Sequence, residues 1–344
     1  LKLSTLGCIE IMSITASDWT KGIVFSILAT IIGGASKLAI RKSWLMEEST
    51  ERDGIMVSEE NTYGVDSNGE ASRSPLHNSR NGSTKCIALF LRLSGMFGMT
   101  FLNPLCGVLA MNYASPSITA PFSGLTLVWI IIFSKTFTGE QPSHAQVFAS
   151  SLIVLGEVVV AVFGDHTNDE GTTLADIEAS YRKPAFIFFF VAMVLWFLLL
   201  HYWVTYSHSS FLKRFAWGVS GGCATGIQNF LKDSLTVLKA KAGIPSYFPI
   251  MIVFAMAAAF GGLLLLTACM KRYDVTYSSA MFVGAYVFTV SIMSAIHYNT
   301  FQNLEGLSNY LLYPLGLVIL MTGVWILVRE RNVEDPAENN SQHA

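Results

Sequence analysis

Four ionisable side chains fall inside otherwise apolar stretches of the chain: Lys37, Glu157, Lys232 and Asp233. On insertion scales each such group costs about 2.5–3.5 kcal/mol at the centre of an apolar span, so each needs a partner or a task. A carboxylate in such a place can ligate a cation, and an ammonium can hold an anion. Lys37 has Gly33 and Arg41 at four-residue steps on its own helical face, so it either reaches back to the interface beside Arg41 and Lys42 or points inward at a solute. Glu157 lies in the run LGEVVVAVF, as a protonated or helix-paired carboxyl or as a cation ligand.

Polar residues recur at helical spacing around these charges. Gly218, Gly222, Thr225, Asn229 and Lys232 follow steps of 4, 3, 4 and 3, which puts a small and polar stripe on one face. The Gly218-xxx-Gly222 and Gly222-xxx-Gly226 steps suit close helix packing, whereas Gln228, Asn229, Lys232 and Asp233 add more polarity than packing needs. Asp233 either pairs with adjacent Lys232 or lines a path. Thr100, Asn103, Gly107 and Ala110 form a similar stripe next to Pro104, and a proline inside a membrane helix frees a carbonyl and bends the helix. Tyr286, Thr289, Ser291 and Ser294 add hydroxyls of little specificity.

No GxSxG elbow, Walker A loop, HExxH pair or His/Cys metal cluster occurs, so no enzyme is expected. No cofactor is expected either. The five cysteines stand singly, as small apolar fillers and not as a disulfide framework. A net charge of -2 offers nothing to nucleic acid.

The elements that must position these groups are helices in a bilayer. The chain is 52% hydrophobic and 13% charged with a mean hydropathy of +0.47, against about 25% charged for a soluble domain. Nine apolar stretches are predicted to span: Gly22–Ile40, Leu93–Met111, Ile118–Phe137, Val147–Phe163, Pro184–Trp203, Phe215–Thr236, Tyr247–Thr267, Tyr277–Ile296 and Tyr310–Val328. Each is long enough for a ~30 Å hydrocarbon core at about 1.5 Å per residue. The fold class expected is therefore all-α, a polytopic membrane protein of about nine transmembrane helices, with membrane lipids as its surroundings and a homodimer left open.

Lys and Arg number about six on the side of the N-terminus and about fourteen on the other, so the N-terminus is expected outside and the C-terminus in the cytosol, in the plasma membrane or an endomembrane. Residues 1–20 form an outer segment without the charged start and long apolar core of a cleaved leader, and the leucine at position 1 leaves room for a segment upstream. A Ser-, Asn-, Glu- and Gly-rich loop at 44–85 is expected to be disordered and cytosolic, with the Asn81 glycosylation sequon unused. Residues 329–344 form a cytosolic tail.

Two strings repeat. IIGGASKL in the first stretch parallels VSGGCATG in the sixth, and VLAMNYASPSITAPF parallels TACMKRYDVTYSSAMF. Four helices in 21–164 and four in 213–328, separated by a lone helix at 184–203, make an inverted 4+1+4 repeat, which places a substrate site at the repeat interface near the bilayer midplane.

The ordered set GGASKLAIRKS, VLAMNYASPSITAPFSGL, GEQPS, LIVLGEVVVAVFG, WGVSGGCATGIQNFLKDSL, ACMKRYDVTYSS and PLGLVILMTGVWIL resembles the NIPA-type magnesium transporter family of the drug/metabolite transporter superfamily. The resemblance covers nearly all of residues 20 to 330 outside the long loop. It implies a secondary transporter or facilitator of divalent cations, with Mg2+ as substrate and not as cofactor, and Asp233, Glu157 and Asn103 as oxygen ligands. Lys37, Thr100, Thr225, Asn229 and Lys232 complete the expected pathway. Two positions depart from the family: Asn103-Pro104 stands where the family has an acidic residue after a glycine, and Phe282 where it has a proline. An anionic organic solute, suited to Lys37 and Lys232, and a non-transporting scaffold acting through the loop are the alternatives.

Overall fold

The computed structural model describes residues 20–47, 49, 75–137, 143–165, 174–239, 245–273, 275–304 and 306–341. Among them there is no strand. The described residues form nine long helices, in order α1 (Thr20–Glu47), α2 (Thr84–Tyr113), α3 (Pro116–Phe137), α4 (His144–Phe163), α5 (Pro184–Tyr206), α6 (Ser210–Ile227, resuming as Leu231–Lys239), α7 (Phe248–Arg272), α8 (Val275–His297) and α9 (Gly306–Ser341). Eight of these are long and apolar enough to cross a membrane. The exception is α6, expected to be a regular ninth span: its α-helix stops at Ile227, a 3-10 turn covers Gln228–Phe230, and the rest carries Lys232 and Asp233. The middle of the loop at 44–85 and residues 1–19 lie outside the described residues. The described ends of that loop are helical, because α1 runs to Glu47 and the helix leading into α2 begins at Pro75, so Asn81 sits on a helix.

Local chemistry sets the helix starts. Ser143 caps α4 in a reciprocal pair with Gln146, at 3.1 and 3.2 Å, which satisfies two backbone N–H groups left over at a helix N-terminus. Prolines in the first turn start α3, α5 and α7, where a missing N–H is harmless.

The helices meet through glycines, as expected where lipid removes the hydrophobic drive between them and close backbone contact must replace it. A Cβ on Gly156 of α4 would stand 2.7 Å from the Gly316 carbonyl and 2.6 Å from the Leu320 nitrogen of α9, and one on Gly323 would stand 2.7 Å from the Ala149 carbonyl. Contacts that pair rising numbers on α4 with falling numbers on α9 make the two helices antiparallel. They are the fourth helices of their sets, so the sets are inverted.

The two sets repeat each other in contact as well as in sequence. Gly34 of α1 lies against Thr126 and Trp129 of α3; Gly222 of α6 lies against Ala285 and Tyr286 of α8. Lys21 at the start of α1 stands 5.7 Å from the Tyr113 ring at the end of α2, and Arg214 near the start of α6 stands 5.4 Å from the Tyr273 ring after α7. Helix α5 is peripheral, with Phe188, Leu195 and Leu198 among its exposed side chains and Leu200 buried against Val219 and Cys223 of α6.

Candidate functional site

A cavity of about 190 Å³ lies between the sets and is lined by α1, α2 and α3 from the first and by α6, α7 and α8 from the second. Hydroxyls from Ser26, Thr30, Ser123, Thr126 and Tyr286, the amides of Asn103 and Gln228, and apolar side chains such as Met99, Leu263 and Phe282 share the wall. Among the described residues that line it, Lys37 is the only Lys, Arg, His, Asp or Glu. It is 4% exposed, and its Nζ stands 5.3 Å from the centre of the Phe282 ring, where the negative face of the ring favours a cation. The structure therefore places Lys37 inward, in the cavity wall.

Asn103 reaches the cavity through a defect in α2. Residues Gly98–Leu102 form a π-turn, closed by the Asn103 N–H on the Gly98 carbonyl, just before Pro104. Pro104 has no N–H to return to the turn before it, so the ladder widens by one residue there. A Cβ on Gly33 of α1 would lie 2.6 Å from Asn103 Nδ2, so the glycine is what lets the amide sit between α1 and α2. Thr100 lies on the π-turn, half-buried and outside the cavity lining.

On α6, Thr225 lines the cavity while its hydroxyl donates to the Gly221 carbonyl at 3.0 Å. Asn229 is fully buried; its amide donates to the Gly226 carbonyl at 2.9 Å and to Tyr286 Oη at 3.3 Å. Lys232 is buried with Nζ 5.1 Å from the Tyr298 ring centre.

Asp233 does not line the cavity. Its Oδ2 accepts the Tyr181 hydroxyl at 2.5 Å and pairs with His297 Nε2 at 2.8 Å, within a box of rings that includes Phe186, Phe230 and Tyr298. Burial first, and the Asp233 charge second, hold the Tyr181 phenol well above the usual tyrosine range, so it remains a donor. Neither Tyr181 nor His297 stands out in the sequence, since they come from 52 and 64 residues away. Glu157 is buried on α4 with its carboxyl facing Gly124 and the Leu125 N–H, where the α-helical part of α3 starts.

The three oxygen donors expected to share a cation thus occupy three separate places. Asn103 is in the cavity, Glu157 is behind α3 because α4 packs on α9, and Asp233 lies beyond the break in α6. Among the described residues no group of three or more His, Cys, Asp or Glu could hold a metal ion.

Inverted helix sets around a small, partly polar cavity are the architecture of a membrane carrier. The EamA-like transporter family matches residues 73–162 of the chain, the segment that carries α2, α3 and most of α4. No curated protein and no solved structure matches significantly. The match and the apolar helices together support an integral membrane protein that acts as a transporter.

Proposed function

We propose that the chain carries a small organic solute bearing one negative charge, by alternating access of the cavity between its two helix sets, with the N-terminus outside and the C-terminus in the cytosol. One observation carries this reading: Lys37 is the single acidic or basic side chain among the described lining residues. A buried ammonium is stabilised by an anionic guest that restores the hydrogen bonds and charge balance it lost with water. A Mg2+ ion ~6 Å from a protonated Lys37 would instead meet a repulsion of about 5.5 kcal/mol at an effective dielectric of ~20.

The amides and hydroxyls around Lys37 would complete the anion's shell, and the apolar wall would take the body of the solute. The magnesium reading rests on the resemblance and on two buried carboxylates, Glu157 and Asp233. Neither reaches the cavity, so α4 and α6 would have to repack for both to touch one ion.

Thermal unfolding of the purified full chain separates the two readings, because a ligand that binds the folded state raises its stability. Small monocarboxylates and monophosphate esters are compared with MgCl2 at equal ionic strength, for the parent and for Lys37→Gln. Stabilisation by a monoanion that Lys37→Gln abolishes is expected. Stabilisation by MgCl2 alone, unchanged in Lys37→Gln, would overturn the proposal.

A further inference from the structure

The short helix Leu174–Tyr181 precedes α5 and lies outside the spans. Its Ile177 is buried in an apolar cluster with Val237 at the end of α6 and Phe248 at the start of α7. Two hydrogen bonds fasten the same segment, Tyr181 to Asp233 of α6 at 2.5 Å and Tyr247 before α7 to Glu178 at 2.9 Å; the Tyr181 ring lies 4.7 Å from that of His297 at the end of α8, and Lys183, just after the segment, donates to Asn299 after α8 at 2.9 Å. One segment therefore ties together one end each of α6, α7 and α8, the three helices through which the second set lines the cavity.

The face on which it does so is fixed by packing. The Leu231–Lys239 part of α6 packs against Asn103–Tyr113 of α2, and Gly22 near the start of α1 lies against Ala110 of α2 and Ala114 just after it. The segment therefore covers the face where α1 begins. The 3-10 turn of α6 joins this fastening to the cavity, because Gln228 lines the cavity while Phe230 belongs to the ring box around Asp233 and His297. A 3-10 turn inside a longer helix is a place where a helix can pivot.

On the opposite face the first set has a looser tie. Arg92 of α2 pairs with Glu47 and donates to Ser43 Oγ at 3.3 Å, both on α1. The Arg92 and Glu47 side chains are 29% and 50% exposed. A half-exposed ion pair is screened by water and salt, whereas the Tyr181–Asp233 bond is buried among rings.

We propose that Leu174–Tyr181 is a strap that closes the cavity on the face where α1 begins, that the Tyr181 to Asp233 hydrogen bond is its latch, and that the resting carrier opens first on the Arg92–Glu47 face. Tyr181 is a positioning residue here. It holds α6 and the strap together and touches no solute.

The test needs no knowledge of the solute. Ser26→Cys is introduced into a background without other cysteines, the full chain is reconstituted in vesicles, and a membrane-impermeant thiosulfonate is applied from one face at a time. Slow labelling from the strap face is expected, rising at least tenfold in Tyr181→Phe, which keeps the ring and its packing and loses only the hydroxyl. Arg92→Gln should raise labelling from the opposite face instead. A second measurement covers the case in which Tyr181→Phe does not fold: an Ile177→Cys, Val237→Cys pair is oxidised, which should block labelling on the strap face until a reductant is added. Equal rates in the parent and a folded Tyr181→Phe, or labelling indifferent to the cross-link, would overturn the inference and leave the reading of the cavity's solute untouched.

Discussion

Lys37 on α1 and Thr225 on α6 hold the same place in the two repeated glycine strings, four residues after Gly33 and Gly221, and both line one cavity. The inverted sets thus present an amine on one wall and a hydroxyl on the matching wall. The Thr225 hydroxyl is already bonded to the Gly221 carbonyl at 3.0 Å. A solute charged at one end and uncharged at the other fits that difference.

Lys37→Gln removes the charged partner and keeps a hydrogen-bonding side chain. A charge-assisted hydrogen bond is worth about 1.5–3 kcal/mol, so the KM for anion uptake should rise roughly tenfold to a hundredfold. The thermal midpoint without solute should stay level or rise, because a buried ammonium is lost. Counterflow in proteoliposomes and a melting curve on the same preparation check both.

Thr225→Lys supplies a second cation at the matching position. Uptake of a dicarboxylate relative to a monocarboxylate of similar size should increase about tenfold, the scale of one added charged contact. Competition of the two acids against one labelled solute measures the ratio.

The α4–α9 crossing has no room for a side chain at Gly156, where a Cβ would meet backbone atoms at 2.6 and 2.7 Å. Gly156→Val should therefore lower stability by about 1–3 kcal/mol through overpacking. Gly261→Ala, where a Cβ would meet nothing within 4 Å, is the control and should be neutral or better. Unfolding midpoints in detergent compare them.

Glu157→Gln should leave uptake of the organic anion unchanged and should not destabilise the fold, because the carboxyl is buried away from the cavity. Chelation of divalent ions by EDTA should likewise leave uptake unaltered. Uptake kinetics with and without the chelator test this.

The helix sets are written in the sequence because glycines in a bilayer mark close contacts: the strings around Gly34 and Gly222 repeat, and both glycines pack on the third helix of their set. The polar stripe on α6 is legible too, although it divides, with Gly218 and Gly222 packing on α8 and Thr225 turning to the cavity. Thr100 and Asn103 share a face in a regular helix. Thr100 lies within the π-turn, whose wider winding turns it off that face, which regular spacing cannot predict. The partners of Asp233 are equally hidden, since Tyr181 and His297 lie far along the chain and only the packing of the strap, α6 and α8 brings them together. For Lys37 both an inward and an interfacial position suit the sequence. The choice is made by Phe282 of α8, whose ring receives the ammonium.

The most direct test is uptake by proteoliposomes holding the full chain and preloaded with a mixture of small organic monoanions. Accelerated exchange of a labelled monoanion, lost in Lys37→Gln and indifferent to EDTA, is the predicted result. Magnesium flux that persists in Lys37→Gln, with no exchange of any anion, would contradict the account.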